Sequence, residues 1–391
     1  MLHHSVREDI PGGQLTDSAS NVHGMTTVRA RISAALISIT VLATGCAPST
    51  PAPTSSQPSA SGATSSAPAA SARPTPSAGM STSAPAAGLR LTAAGDFGAT
   101  ANTRAVLAGM NEAKPLAALF LGDFSYGKNG QEGKWCDLVN GLTPDAPKLL
   151  VSGNHESNGR NGRIQRFLDC LPNTSFDTKG DYARQYYVDL PASRPLVRVV
   201  MISPGVDFGS GPWRYTKGSP RYQWTAQAID GARSAGIPWV IVGMHRPCVS
   251  TGIYPCVPGA DIQQLLLDKH VDLVVTGHEH FYQRSKQLRS GTAACRRVIP
   301  ATYDADCVID SDDTLVKSAG TVFISAGTGG TGLRRVVFAD PEYRYFATAS
   351  GTNQMPTHGF LQLDITGTEL RASFDNAGTG TYTDGFTISG S

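Results

Sequence analysis

From residue 89 onward, short apolar runs alternate with stretches of helical character. Residues 89–94 alternate as a strand does, residues 103–111 read as a helix, and residues 117–121 form an apolar run that ends at Gly122-Asp123. Residues 148–152 repeat that ending. Further runs at 197–202, 239–242, 271–275 and 321–324 predict buried strands, with helices at 223–234 and 261–270 between some of them. Strands alternating with helices imply an α/β architecture. Glycine and proline punctuation marks surface loops at 158–163 and 208–218. No internal repeat is visible, and nothing after residue 88 invites a domain boundary, so residues 89–391 are expected to form one catalytic-size domain.

The pattern before residue 89 is of another kind. Residues 1–24 include Glu8, Asp9 and Asp17, acidic residues that secretory leaders avoid, so Met25 is the expected start and residues 1–24 a leader without structure. From Met25, the basic Arg29 and Arg31, an apolar run at 32–43 and the small-residue junction Thr44-Gly45-Cys46 have the layout of a signal peptide. The run is too short to span a bilayer. Residues 41–46 resemble the bacterial lipoprotein cleavage box, with Ala43 where that box more often has Leu, which makes Cys46 the expected lipid attachment. Residues 47–88 are nearly all Ala, Ser, Pro, Thr and Gly, too poor in large apolar groups to offset the entropy of ordering, and read as a disordered tether. The expected location is the bacterial cell envelope, lipid-anchored to the outer face of the plasma membrane, or the exterior.

Composition narrows the function classes. The chain has 33 Lys plus Arg against 31 Asp plus Glu in 391 residues, a formal charge of +2, so no net field argues for nucleic acid and none is expected as a partner. With 16% charged residues, 42 Gly and 25 Pro, coiled coil and collagen are excluded. Of seven cysteines, six lie in the globular part, enough in an exported chain for three disulfides. The close pairs Cys248 with Cys256 and Cys295 with Cys307 are preferred, and Cys136 with Cys170 follows. Their spacing lacks the paired CxxC pattern of a structural zinc site.

Chemistry concentrates at strand ends. Five runs end in metal-capable side chains: Gly95-Asp96-Phe97-Gly98, Gly122-Asp123-Phe124-Ser125-Tyr126, Gly153-Asn154-His155-Glu156, Val242-Gly243-Met244-His245 and Gly277-His278-Glu279-His280. Such strand ends are where α/β proteins bind ligands, and each glycine is read as the point where the chain turns to present the next side chain. Of nine histidines, four stand in these blocks. His278 and His280 are two apart, so in an extended segment both imidazoles would point the same way. One helix-like turn would place the Tyr126 oxygen beside Asp123.

These blocks resemble the five signature blocks of the purple acid phosphatases, within the calcineurin-like metallophosphoesterase superfamily, over residues 96–280. The resemblance implies a four-layer sandwich, two central mixed sheets flanked by helices, with a two-metal centre at the strand ends. Asp96, Tyr126 and His280 would hold Fe(III), Asn154, His245 and His278 a divalent Fe, Zn or Mn, and Asp123 would bridge. His155 would approach the substrate and, with Glu156 as a second candidate, protonate the leaving group. Asn154, His155 and Arg246 would contact the phosphate. Carboxylate, phenolate and imidazole suit a hard ferric ion, and amide with two imidazoles suit a borderline divalent one. Metal-activated hydroxide attacking a small phosphate monoester at acidic pH is the implied activity. A phosphodiesterase or nucleotidase on the same metals is the same-superfamily rival, and a non-catalytic surface-binding lipoprotein the rival from another class. No protein partner is predicted.

The remaining features read as structural. Residues 325–330 resemble a glycine-rich strand end that approaches the cleft, His358 reads as a loop histidine, and Trp135, Trp213, Trp224 and Trp239 as core or rim packing. Tyr215 and Tyr222 are expected to line the pocket. Substrate choice is expected from the loops at 159–217 and after residue 281.

Overall fold

Capping explains where the helices begin in the computed structural model, which describes residues 88–390. Thr100 and Thr103 form a reciprocal cap that starts α1 (Ala101–Glu112) ahead of the apolar positions Val106, Leu107 and Met110 that it buries. A serine cap at Ser219, followed by Pro220 at the first helical position, starts another helix three residues before its predicted bound. The leader, the signal peptide, Cys46 and residues 47–87 of the tether lie outside the described residues.

In chain order, β1 (Leu89–Ala94) precedes α1, followed by β2 (Ala117–Phe120), α2 (Glu132–Leu142), β3 (Lys148–Leu150), α3 (Asn154–Ser157) and α4 (Ile164–Cys170). Then come β4 (Lys179–Asp181), β5 (Gln185–Leu190), β6 (Val197–Ile202), α5 (Pro220–Ser234), β7 (Trp239–Met244), α6 (Ala260–Asp268) and β8 (Leu273–Thr276). The chain continues through β9 (Tyr282–Ser285), β10 (Gln287–Leu288), β11 (Val308–Asp310), β12 (Thr314–Val316), β13 (Val322–Ala326) and β14 (Phe346–Ser350). It ends in the meander β15 (Gly359–Ile365), β16 (Glu369–Asn376) and β17 (Asp384–Ser389).

Two mixed sheets result. One runs β12-β17-β16-β15-β1-β2-β3, the other β14-β9-β13-β8-β7-β6-β5-β4. Strands β1, β2 and β3 are parallel in the first, and β6, β7, β8 and β13 in the second. Their facing sides share one core, in which Leu91, Leu119 and Leu149 meet Met201, Ile241 and Val275. The outer face of the first sheet is covered by α1, α2 and α4 through Val106, Trp135 and Phe167, and that of the second by α5 and α6 through Ile229 and Leu266. This is the expected four-layer α/β sandwich.

All three expected disulfides form: Cys136–Cys170, Cys248–Cys256 and Cys295–Cys307. No helix among the described residues is long and apolar enough to cross a membrane.

Candidate functional site

The parallel strands of both sheets end at one edge, and backbone hydrogen bonds tie their exit loops together. Gly95 N–H donates to Ala326 O at 3.0 Å and Gly277 N–H to His245 O at 3.0 Å, while Asp96, Phe97 and Gly98 donate to Gly122, Asp123 and Phe124 at 3.0, 3.0 and 2.8 Å. The glycines act differently from the sequence reading. Only Gly122 of those preceding the ligands has a positive φ, +85°. The turn is made at the candidate ligands themselves, since Asp96, Asp123, Tyr126 and His278 have φ of 61°, 52°, 52° and 69°. Each costs of order 1–3 kcal/mol and persists only because its surroundings over-determine it. Gly277 is needed for close approach, because a Cβ there would stand 2.7 Å from the Asp96 carboxylate.

Seven of the predicted side chains converge in two clusters that share Asp123. In the first, the Tyr126 hydroxyl lies 2.9 Å from Asp96 Oδ1, 3.2 Å from Asp123 Oδ2 and 3.0 Å from His280 Nε2, and His280 Nε2 lies 3.4 Å from Asp96 Oδ1. In the second, His245 Nε2 lies 3.3 Å from Asp123 Oδ1, 3.2 Å from Asn154 Oδ1 and 3.2 Å from His278 Nδ1. Donors held about 2.1 Å from a common cation stand about 3.0–3.4 Å apart in octahedral or tetrahedral arrangement, so these separations fit one cation in each cluster. Lone pairs crowded this closely repel unless a proton or cation lies among them, and the single Tyr126 proton serves only one of its three neighbours. Asp123, His245 and His278 each bring a ligand atom within 4.8 Å of the others, close enough to share one metal ion.

Carbonyl groups behind the imidazoles set their tautomers. His245 Nδ1–H donates to Leu121 O at 2.8 Å and His280 Nδ1–H to Gly332 O at 2.9 Å, which turns both Nε2 lone pairs inward. Burial would lower His245, but Asp123 and Asp96 raise it to about 9, so below that pH its inward Nε2 holds a proton that a cation taking the lone pair would displace. Asp123 is the converse: burial would raise it, and the charge and hydrogen bond of His245 bring it below the ordinary carboxylate range. Burial, then the nearby His245, lowers His278 to about 2. Burial, then Asp96 and Asp123, raises the Tyr126 phenol far above its ordinary value, so a cation is what would make a phenolate there.

Two local readings change. The segment from Asp123 to Tyr126 is not a helical turn, yet its two left-handed residues bring the phenol to Asp123 all the same. Residues 277–280 are bent rather than extended, and His278 and His280 serve different clusters.

His155 faces the cleft. Its Nε2 lies 3.6 Å from Asp123 Oδ2, its ring packs on Tyr126 with centroids 4.4 Å apart, and its Nδ1 bonds to Asn161 Oδ1. Asn161 was not foreseen, as it stands in a polar loop with no periodicity. Glu156 is a correction: it turns into the interior, where its oxygens accept the N–H groups of Gly153, Asp123 and Phe124 at 2.6, 3.0 and 3.3 Å. Burial, then the Asp123 charge, raises it to about 8. It braces the Asp123 loop and has no path to a leaving group.

A cavity of about 200 Å³ opens over the clusters, and Arg246 lines it as expected. Arg160, Tyr254, Val257 and Arg334 also line it. Tyr254 and Val257 flank Cys256, so the predicted disulfide was the available signal for them. Tyr215 and Tyr222 do not line this cavity. Tyr215 is buried beside a neighbouring one of about 440 Å³ that shares Val257, because its hydroxyl accepts the Ser203 N–H, and Tyr222 packs on the α5–α6 side. Residues 325–330 are structural, Gly329 N–H donating to Gly95 O at 2.9 Å. His358 is satisfied by Thr379 and Thr331 at 2.9 and 3.0 Å.

Residues 89–282 match the calcineurin-like phosphoesterase family model. An Fe(3+)-Zn(2+) purple acid phosphatase of Arabidopsis thaliana is 25% identical over 288 residues, 69% of this chain and 56% of the relative. An uncharacterised protein of Mycobacterium tuberculosis is 31% identical over 237 residues, 56% of this chain and 42% of the relative. The structure of a purple acid phosphatase from yellow lupin superposes with a TM-score of 0.57 at 17% identity, covering 78% of this chain and 54% of that one. The chain spans about half the length of the curated relatives it matches.

Proposed function

Residues 89–282 belong to the calcineurin-like phosphoesterase family, and from that premise we propose that the chain is a purple acid phosphatase-like binuclear metallohydrolase releasing phosphate from small phosphate monoesters. The observation that carries the reading is the pair of donor clusters sharing Asp123, one oxygen to each. Asp96, Tyr126 and His280 would hold Fe(III), and Asn154, His245 and His278 a divalent Fe, Zn or Mn. When bound, such a pair supplies Lewis acidity and a water acidic enough to serve as hydroxide below neutral pH. Asn154 and Arg246, whose Oδ1 and Nε are 3.4 Å apart, orient the phosphoryl oxygens. His155, steadied by Asn161, hands the proton on Nε2 to the departing alkoxide.

Phosphate release is the test. A monoester is expected to exceed the matching diester in kcat/KM by about tenfold or more, which is about 1.4 kcal/mol of transition-state preference. The opposite order would give the site to a diesterase, and no turnover in fully metallated protein would favour a non-catalytic surface lipoprotein. From the signal-peptide layout and the lipobox-like residues 41–46 we propose separately that the protein sits on the outer face of the plasma membrane through Cys46, or is secreted. Mass spectrometry of the membrane fraction that finds Cys46 without acyl groups would reject that anchor.

A further inference from the structure

Three guanidiniums line a cleft in which the proposed reaction needs one phosphoryl position. Arg160 comes from the loop after α3, Arg246 follows β7 and Arg334 follows the glycine-rich exit of β13, so they occupy three separate walls. Among the described residues none of them pairs with a carboxylate at salt-bridge distance, whereas Arg90, Arg198, Arg233 and Arg284 each do. Arg246 is accounted for by Asn154 and by the Gly205 carbonyl, to which it donates at 3.0 Å. Arg334 is held in place by a carbonyl and a ring, at more than salt-bridge distance from the buried Glu279, whose carboxyl burial raises and the Arg334 charge lowers. Its Nη1 donates to the His278 carbonyl at 3.0 Å, and its guanidinium lies over the Tyr254 ring, 4.9 Å from the centroid. That ring packs against the His278 imidazole at 4.5 Å, in a loop closed by the Cys248–Cys256 disulfide.

A fixed guanidinium with free donors is suited to paired oxygens of a phosphate. A phosphoryl group has three terminal oxygens, and one bidentate guanidinium takes two of them. With Arg246 at the scissile group, Arg160 and Arg334 are left over. We propose that Arg160 and Arg334 form a second anion subsite beside the phosphoryl position, and that the preferred substrates are small molecules carrying a second phosphate near the ester that is cleaved. Tyr254 is the positioning residue that holds Arg334. The inference deepens the monoesterase reading and rests on it.

Fructose 1,6-bisphosphate and fructose 6-phosphate differ by the added group alone. In the enzyme as purified, kcat/KM for the bisphosphate is expected to be about 10- to 100-fold higher, and in Arg160→Gln/Arg334→Gln the ratio falls to about 2 or less, the statistical value for two equivalent phosphates. Tyr254→Leu lowers the ratio part of the way, through KM for the bisphosphate rather than kcat. A second readout does not need turnover. In calorimetry of chelator-treated protein, inorganic pyrophosphate is expected to bind about 5-fold or more weakly to the double variant than to the parent. If neither sugar phosphate is hydrolysed while pyrophosphate binding still depends on the two arginines, the catalytic reading fails and the subsite stands. Equal kcat/KM for the two substrates in the parent, or pyrophosphate binding indifferent to the double variant, overturns the subsite.

Discussion

Glu156 distinguishes a chemical role from a mechanical one. Read from sequence it is a candidate proton donor, because it neighbours His155; in the fold its carboxyl oxygens accept three buried backbone N–H groups, two of them at the start of the Asp123 loop. Removing it in Glu156→Ala orphans all three donors. Each unsatisfied buried donor costs about 1–3 kcal/mol, so the sum is about 3–6 kcal/mol once some relaxation is allowed. Near 2 °C per kcal/mol for a domain of this size, that is a fall in Tm of about 6–12 °C. Glu156→Gln keeps an acceptor for Asp123 and Gly153, which share one oxygen, and orphans Phe124 alone, a loss of about 1–3 kcal/mol. Scanning calorimetry and metal content per chain are the assays, with kcat expressed per metal-loaded site. The expected order is parent, Gln, Ala in both melting and metal retention, with kcat per loaded site in the Gln variant within about tenfold of the parent. A Gln variant that melts and binds metal as the parent does, but loses about 1,000-fold in kcat, would refute the bracing argument and restore Glu156 as an acid.

Three further outcomes follow from the same geometry. Tyr126→Phe removes the one phenol among the proposed ligands, so a visible charge-transfer band in the metallated parent should vanish in the variant; a colourless parent that is fully loaded and active would discard Fe(III). Asn161→Ala frees the His155 ring and also removes the amide that donates to the Tyr126 and Gly127 carbonyls at 2.9 Å, so kcat should fall about 10-fold with KM little changed, and an unaltered kcat would deny His155 its orientation. Glu342 lies away from the metal ligands and is raised by burial to about 7, in spite of the N–H groups of Ser250 and Ala301 at 3.0 and 2.9 Å. A carboxyl raised on folding stabilises fully below its unfolded value and loses that contribution as pH rises through its folded one. Urea unfolding should therefore lose about 3 kcal/mol between about pH 4.5 and 7.5, and Glu342→Gln should flatten this slope.

The parallel strands were legible because they are buried on both faces and therefore read as continuous apolar runs. Strands β1 and β6 fell on their predicted bounds, and β7 and β13 within two residues of them. The meander at β15, β16 and β17 has no counterpart among the predicted elements. Those strands complete the first sheet, but one face is half exposed, so residues such as Gln362, Asp364, Arg371 and Ser373 break the apolar pattern. Period-2 signals diluted in this way are easily mistaken for loops.

The site shows a parallel division. Ligand chemistry is written in residue type, because only carboxylate, amide, phenol and imidazole bind such cations, and their blocks follow strands that are easy to find. The walls are written in shape. Arg160, Tyr254 and Arg334 lie in separate irregular loops, and Tyr254 and Arg334 reach the candidate ligands through the Cys248–Cys256 closure, a ring tilted against His278 and a carbonyl contact, none of which has a spacing. The ligand loops are themselves fixed by backbone bonds that continue the β1–β2 ladder past its end and join it to β13. Those bonds run through Asp96 and Asp123, two of the four candidate ligands in left-handed conformations, so the fold itself brings these donors to the rim. A rim built on such a base can change its residues without disturbing the donors beneath, so under the proposed function the choice of phosphate ester falls to the loops.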